Sequence, residues 1–294
     1  MKSIHTGAIA VMLMWALCYP LIKLSLPFAP VMITAFLRAV TAGAVLIAIA
    51  LLINRRFPNT IRIWVYICII GFSGTGLGLW GMFYAGKLLN PGFATVLTNT
   101  QPLIAGVLGW YVLNEKLGKI SLAGTVVGFV GIIIISTNTL FDTGETVLQG
   151  ILYVFLASTG VAISNVLLKK IAGQVDVLIA MGLQLLFGSI PLAFLAFNTS
   201  DFSLLDWQLN YTLILLSLAL VGTALPYVTW FWLMHRSPLY KLNVYNFLTP
   251  VFGLYLGLNF FSETLTELQW LGAGLIIVAI LLVTATNGGI KTES

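Results

Sequence analysis

Apolar residues run along this chain in unbroken blocks of about twenty, the length of helix that spans a bilayer, and polar residues collect in the gaps between them. The gaps carry the helix-breaking residues: Pro27 and Pro30, Asn54 to Asn59, Asn90-Pro91, Asn138 to Glu145, Asn198 to Asp206, and Ser237-Pro238. A helix pairs its own backbone N–H and C=O groups, so it can cross a medium that offers no water. The strands of a membrane barrel would be half as long and would alternate apolar with polar residues. The pattern therefore predicts an all-α polytopic membrane protein with ten transmembrane helices, over 4–25, 31–53, 63–86, 92–113, 119–137, 149–168, 177–197, 209–233, 239–261 and 267–286. The first block runs from Ile4 to Leu26 with no small-residue cleavage site, so it reads as a span and not as a cleaved leader.

The blocks repeat. Asn99 to Leu117 reads NTQPLIAGVLGWYVLNEKL, and Phe247 to Leu265 reads FLTPVFGLYLGLNFFSETL. An offset of 148 carries Pro102 onto Pro250, Gly109 onto Gly257, Glu115 onto Glu263 and Leu117 onto Leu265. The same offset carries Gly74-Thr75 onto Gly222-Thr223 and Gly124 onto Gly272. Nearer the start of each half the offset is 146, and Val31 meets Val177 while Arg38 meets Gln184. A period of half the chain signals a duplicated architecture. The expected units are a first five-helix repeat over 1–137, a second over 149–286 and a short tail over 287–294. Five spans per half turn the second repeat upside down, which is the arrangement of many secondary transporters.

Composition agrees. The chain is 59% hydrophobic and 8% charged, where a soluble domain is about 25% charged. The net charge of +5 comes from residues in short loops, with no basic face or tail, so nucleic acid is excluded as a partner. With the N-terminus inside, inner loops and tails hold Lys2, Arg55, Arg56, Arg62, Lys116, Lys119, Lys169, Lys170, Arg236, Lys241 and Lys291. This bias places both termini in the cytoplasm, with the plasma (inner) membrane as the expected location. Cys18 and Cys68 lie inside apolar blocks and read as small buried hydrophobes.

On these residues the chain resembles the EamA family of the drug/metabolite transporter superfamily. The resemblance rests on the two Pro-to-Glu helices, Pro102 to Glu115 and Pro250 to Glu263, each followed by a glycine-rich span. Trp15 and Lys23 in the first span and Arg38 in the second are also like the family, whereas Pro226 departs from its usual pattern. The resemblance implies a secondary exporter of small amphipathic metabolites, such as amino acids or related compounds. It implies no cofactor. The partners expected are a small-molecule substrate and the lipid bilayer, with the protein a monomer or a homodimer.

The polar residues inside the blocks are the candidate site. Thr95, Thr98 and Asn99 precede Pro102, and Asn243 and Asn246 precede Pro250. Positions 95, 98 and 102 share one helical face, as do 243, 246 and 250. A proline inside a helix removes a hydrogen bond and bends it, so Pro102 and Pro250 are expected kinks. Amides and hydroxyls facing lipid would be costly, so these faces should line a cavity. Trp15, Tyr19, Trp80 and Tyr227 can enclose an amphipathic ligand with their rings. Arg38 either grips a substrate carboxylate, ties down backbone carbonyls or snorkels to the outer headgroups. Asn165 and Gln184 are further wall candidates. Glu115 and Glu263 sit at span ends and read as interfacial rather than as proton carriers.

An intramembrane hydrolase or a non-transporting receptor is the alternative. Gly81 to Lys87 mimics a phosphate loop, but Leu88 stands where Ser or Thr is needed. Ser73 sits in a protease-like string, but His5 and His235 lie at span ends, about 15 Å away along the helical rise.

Overall fold

The computed structural model describes residues 2–89, 94, 97–98, 100–114, 118–135, 145–260 and 266–285. Glu115, Glu263 and the expected tail over 287–294 lie outside them. Among the described residues the elements are helical throughout. Seven helical runs are long and apolar enough to cross a membrane, and two shorter apolar helices cover Gln101–Leu113 and Lys119–Ile134.

The breaks follow local chemistry. The first block forms α1 (Lys2–Ala16) and α2 (Cys18–Ser25). Pro20 lacks the N–H that would bond the Ala16 carbonyl, and its ring crowds that carbonyl, so the helix changes at Leu17. The second block is α3 (Val31–Leu52). Asn54 ends it in the left-handed conformation at φ 55°, while Arg55 N–H donates to the Ala50 carbonyl at 2.8 Å. This closes the last turn and satisfies a carbonyl that would otherwise be unpaired.

The third block is α4 (Ile61–Ile70), a π-helical segment over Gly71–Leu77, and α5 (Gly78–Leu88). Next come α6 (Gln101–Leu113), α7 (Lys119–Ile135), α8 (Glu145–Ile171) and α9 (Val177–Thr199). The eighth block repeats the pattern of the third: α10 (Leu209–Leu216), a π-helical segment over Ser217–Ala224, and α11 (Leu225–Met234). The block expected over 239–261 is composite, with α12 (Leu239–Asn243), a 3-10 turn over Val244–Phe247, and α13 (Leu248–Phe260). Helix α14 (Glu267–Ala285) follows.

Pro102 stands in the first turn of α6. A first-turn N–H has no intrahelical partner to lose. Pro250 is matched by a change of helix type, since the 3-10 turn occupies the residues whose carbonyls its ring would crowd.

Two helix pairs organise the bundle, and both are antiparallel. Along α3 and α9, Phe36 meets Phe197 with ring centroids 6.2 Å apart, Gly43 meets Leu186, and Gly182 meets Ile47. The pair ends with Arg55 Nε 3.5 Å from the carboxylate of Asp176, the N-cap of α9. Along α7 and α14, Gly124 faces Val283, Gly128 faces Ala279, and Gly131 faces the Gly272 backbone. Lipid gives helices no hydrophobic drive to associate, so small residues that admit close backbone approach carry the packing. The outer surface is apolar, with Leu52, Ile61, Leu209 and Phe194 all exposed. Gly253 meets nothing within 4 Å of where a Cβ would stand.

Candidate substrate-binding cavity

A cavity of about 160 Å³ lies at the centre of the bundle. Trp15 of α1, Cys18 and Tyr19 of α2, Arg38 of α3 and the glycines of the first π segment and α5 form one side. Helix α8 contributes a polar stripe of Ser158, Ser164 and Asn165, and α9 contributes Gln184. Tyr227 and Trp230 of α11 face Trp15, with ring centroids 6.3 and 5.3 Å from it. Thr98 and Gln101 close the wall from the first proline segment, and Asn246 and Thr249 from the second.

The wall is tied together by hydrogen bonds across the chain. Thr98 Oγ1 donates to the Ala94 carbonyl at 2.7 Å and accepts from the Tyr19 hydroxyl at 3.0 Å. Asn246 Nδ2 donates to Gln101 Oε1 at 3.1 Å, joining the two proline segments directly. Trp230 Nε1 donates to Asn165 Oδ1 at 3.3 Å. Arg38 Nε donates to Thr223 Oγ1 at 2.6 Å, and its Nη2 donates to the Gly222 carbonyl at 3.1 Å and to Cys18 Sγ at 3.3 Å. Gln184 Nε2 donates to Thr75 Oγ1 at 3.4 Å.

The last two ties are counterparts. Arg38 and Gln184 match in the sequence repeat, as do Thr223 and Thr75, and each threonine lies in a π-helical segment. A π turn leaves backbone groups out of the regular ladder. The Thr223 hydroxyl answers one of them by donating to the Leu218 carbonyl, five residues back, at 2.8 Å.

Of the expected site residues, Trp15, Tyr19, Arg38, Thr98, Tyr227 and Asn246 line this cavity, as do Asn165 and Gln184. Trp80 does not. It packs edge-on against Tyr153 with centroids 6.0 Å apart. Asn243 faces a second cavity, of about 490 Å³, between α6, α7 and α12, beside Pro102. Both polar atoms of its side chain are buried there without a hydrogen-bond partner. Thr95 and Asn99 lie outside the described residues.

Sequence reasoning missed Gln101, Cys18, Ser158, Ser164 and Thr249. A signal for the serines exists: positions 158, 161, 165 and 168 recur at helical spacing, and Ser158, Thr159, Ser164 and Asn165 interrupt an otherwise apolar block. Gln101 directly precedes a duplicated proline, and its repeat counterpart is Thr249.

Enzyme chemistry has no support here. Ser73 Oγ donates to the Ile70 carbonyl at 3.4 Å, while His235 Nδ1 bonds the Phe231 carbonyl at 2.7 Å and His5 bonds the Tyr245 hydroxyl. A serine nucleophile needs a base within reach.

The EamA-like transporter family matches residues 2–137 and again residues 148–285. The chain belongs to that family. A WAT1-related chloroplastic protein of Arabidopsis thaliana is 27% identical to this EamA-like transporter, over 93% of the chain and 67% of that protein. An uncharacterized transporter, YvbV, of Bacillus subtilis is 28% identical, over 96% of the chain and 92% of the relative. A probable amino-acid metabolite efflux pump of Salmonella typhimurium is 27% identical, over 94% of the chain and 92% of the relative. One protein of known crystal structure shares the fold at a TM-score of 0.78 and 19% identity, across 97% of each chain. This EamA-like protein is thus a multi-pass membrane transporter and not an enzyme.

Proposed function

We propose that this transporter is a secondary exporter of small amphipathic metabolites, amino acids or related compounds among them, and that it works by alternating access. Two five-helix halves, over 1–137 and 149–286, stand in opposite orientations across the plasma membrane. Ten spans result, with both termini in the cytoplasm. One observation carries the reading. Helices matched by the repeat, α3 with α9 and α7 with α14, pack antiparallel to each other, as two inverted halves require. The central cavity lies between the halves and draws its walls from both. Two such halves can exchange conformations, and the cavity then opens to one side or the other.

Direction draws its support from the Salmonella relative, and substrate class from that relative and from a wall that mixes aromatic rings with amides and hydroxyls. Among the described residues no carboxylate lines the cavity. Exchange or downhill flux therefore fits the wall better than a carboxylate proton relay.

Two measurements test this. In a Cys68→Ser background, Asn59→Cys and Ser203→Cys occupy exposed loops after α3 and α9. A membrane-impermeant maleimide added to right-side-out vesicles should label Ser203→Cys alone; labelling of both sites from one side ends the inverted arrangement. In proteoliposomes, Asn246→Ala should slow solute counterflow at least ~10-fold, since it removes the bond between the proline segments. A wild-type protein that moves no solute in a broad metabolite panel removes the carrier reading.

A further inference from the structure

Arg38 brings a full positive charge into the bundle and leaves part of it unanswered. Its Nε and Nη2 are held by Thr223, Gly222 and Cys18, but Nη1 has no hydrogen-bond partner. The side chain is 2% exposed and stands on the cavity wall. A guanidinium cannot shed its proton to escape burial. A donor on a charged group costs more to leave unpaired than a neutral one. The Phe83 ring lies 5.8 Å from the guanidinium carbon and offers its π face. That softens the charge but gives Nη1 no acceptor. Among the described residues, Arg38 is the one wall side chain of fixed charge.

A second observation points the same way. Gln184, the repeat counterpart of Arg38, is also anchored by one end only: Thr75 holds Nε2, while Oε1 is buried without a partner on the same wall. Each member of the matched pair ties one nitrogen to a π-segment threonine and leaves one polar atom without a partner. The unpartnered atoms differ, being a cationic donor in the first half and a neutral acceptor in the second. The site is therefore symmetric in build and asymmetric in charge.

We propose that Arg38 Nη1 is the anion anchor of the cavity, and that the transported class is small organic monoanions with an apolar body. The carboxylate sits on Arg38, making a charge-neutral pair in a low-dielectric site. The body lies against Trp15, Tyr227 and Trp230. A hydrogen-bond donor near the carboxylate answers Gln184 Oε1. This rests on the carrier reading above and narrows its substrates to carboxylates.

The test uses the full chain purified in detergent and the pairs 3-phenylpropionate with 3-phenylpropionamide and hexanoate with hexanamide. A ligand of the folded state raises the melting temperature by mass action. For wild type, each acid should raise it and the matching amide should not. Arg38→Gln copies the Gln184–Thr75 tie into the other half, so it keeps a donor for Thr223 and removes the charge. It should bind the acids about 10- to 100-fold more weakly, whereas Arg38→Lys should retain part of the response. Equal shifts from acid and amide in wild type, no shift from any acid, or an unchanged acid response in Arg38→Gln would overturn the proposal. The wild-type comparison holds even where a variant fails to fold. Proteoliposome flux separates the two readings. Acid binding through Arg38 with no flux of any solute removes the carrier and keeps the anchor. Flux of neutral solutes with no preference for acids removes the anchor and keeps the carrier.

Discussion

At the scale of single residues, the Thr223 hydroxyl closes two accounts at once. It gives the Leu218 carbonyl a donor and gives Arg38 Nε an acceptor, in a place fully shielded from solvent. Thr223→Val keeps the shape and deletes both bonds, leaving a carbonyl and a charged donor buried and unpaired. The expected loss is about 2–4 kcal/mol, since each unsatisfied buried group costs roughly 1–3 kcal/mol and a charged one more. Thr75→Val in the other half loses only a 3.4 Å bond from a neutral amide. It should cost on the order of 1 kcal/mol. Thermal unfolding in detergent compares the two, and equal losses would mean that the charge on Arg38 is not carried by Thr223. Asn246 and Gln101 are the other residue-level tie, a neutral pair bridging segments 145 positions apart in sequence.

Elements differ in how they use glycine. Helices α7 and α14 approach so closely that a Cβ at Gly131 would stand 2.8 Å from the Gly272 carbonyl oxygen. Gly131→Ala should therefore force the pair apart and destabilise the protein by about 1–3 kcal/mol, the usual cost of overpacking. Gly253 in α13 faces open space, and Gly253→Ala should be neutral or stabilising by up to ~1 kcal/mol, the helix-propensity difference. Melting temperatures of the two variants in the same detergent decide it; a destabilised Gly253→Ala would show that something covers that face. The two π segments are a different device. They interrupt the third and eighth blocks at matching places, and each turns a threonine toward a polar side chain from the facing half.

For the whole molecule, the antiparallel register of α3 and α9 makes a direct forecast. Cysteines at 36 and 197 should cross-link with a short bifunctional reagent, because the native rings sit 6.2 Å apart between centroids. Cysteines at 36 and 178 should not, since Leu178 lies at the far end of α9, next to the cap that meets Arg55. Gel mobility after cross-linking reads the result, and the reverse pattern would mean a parallel pair. The exterior is apolar, while amides, hydroxyls and Arg38 turn inward onto the central cavity among its aromatic and aliphatic walls, as expected where lipid is the solvent.

The sequence by itself determined the solvent, the helical class and the duplication, because each leaves a one-dimensional trace. Block length follows from bilayer thickness, and a repeat is visible as an offset between Pro102 and Pro250 or Thr75 and Thr223. It also supplied much of the cavity wall, through aromatic and amide residues that lipid would reject. Tertiary structure alone decided which of those residues meet. Trp80 and Asn243 passed the same polarity test as Tyr227 and Asn246, yet their helices turn them to Tyr153 and to a second cavity. Nor could spacing reveal that Arg38, on the cavity wall, ties two of its nitrogens to the opposite half and leaves the third without a partner. Polarity tells a residue to avoid lipid, but its partner is fixed by helix rotation and packing, which depend on contacts far apart in sequence.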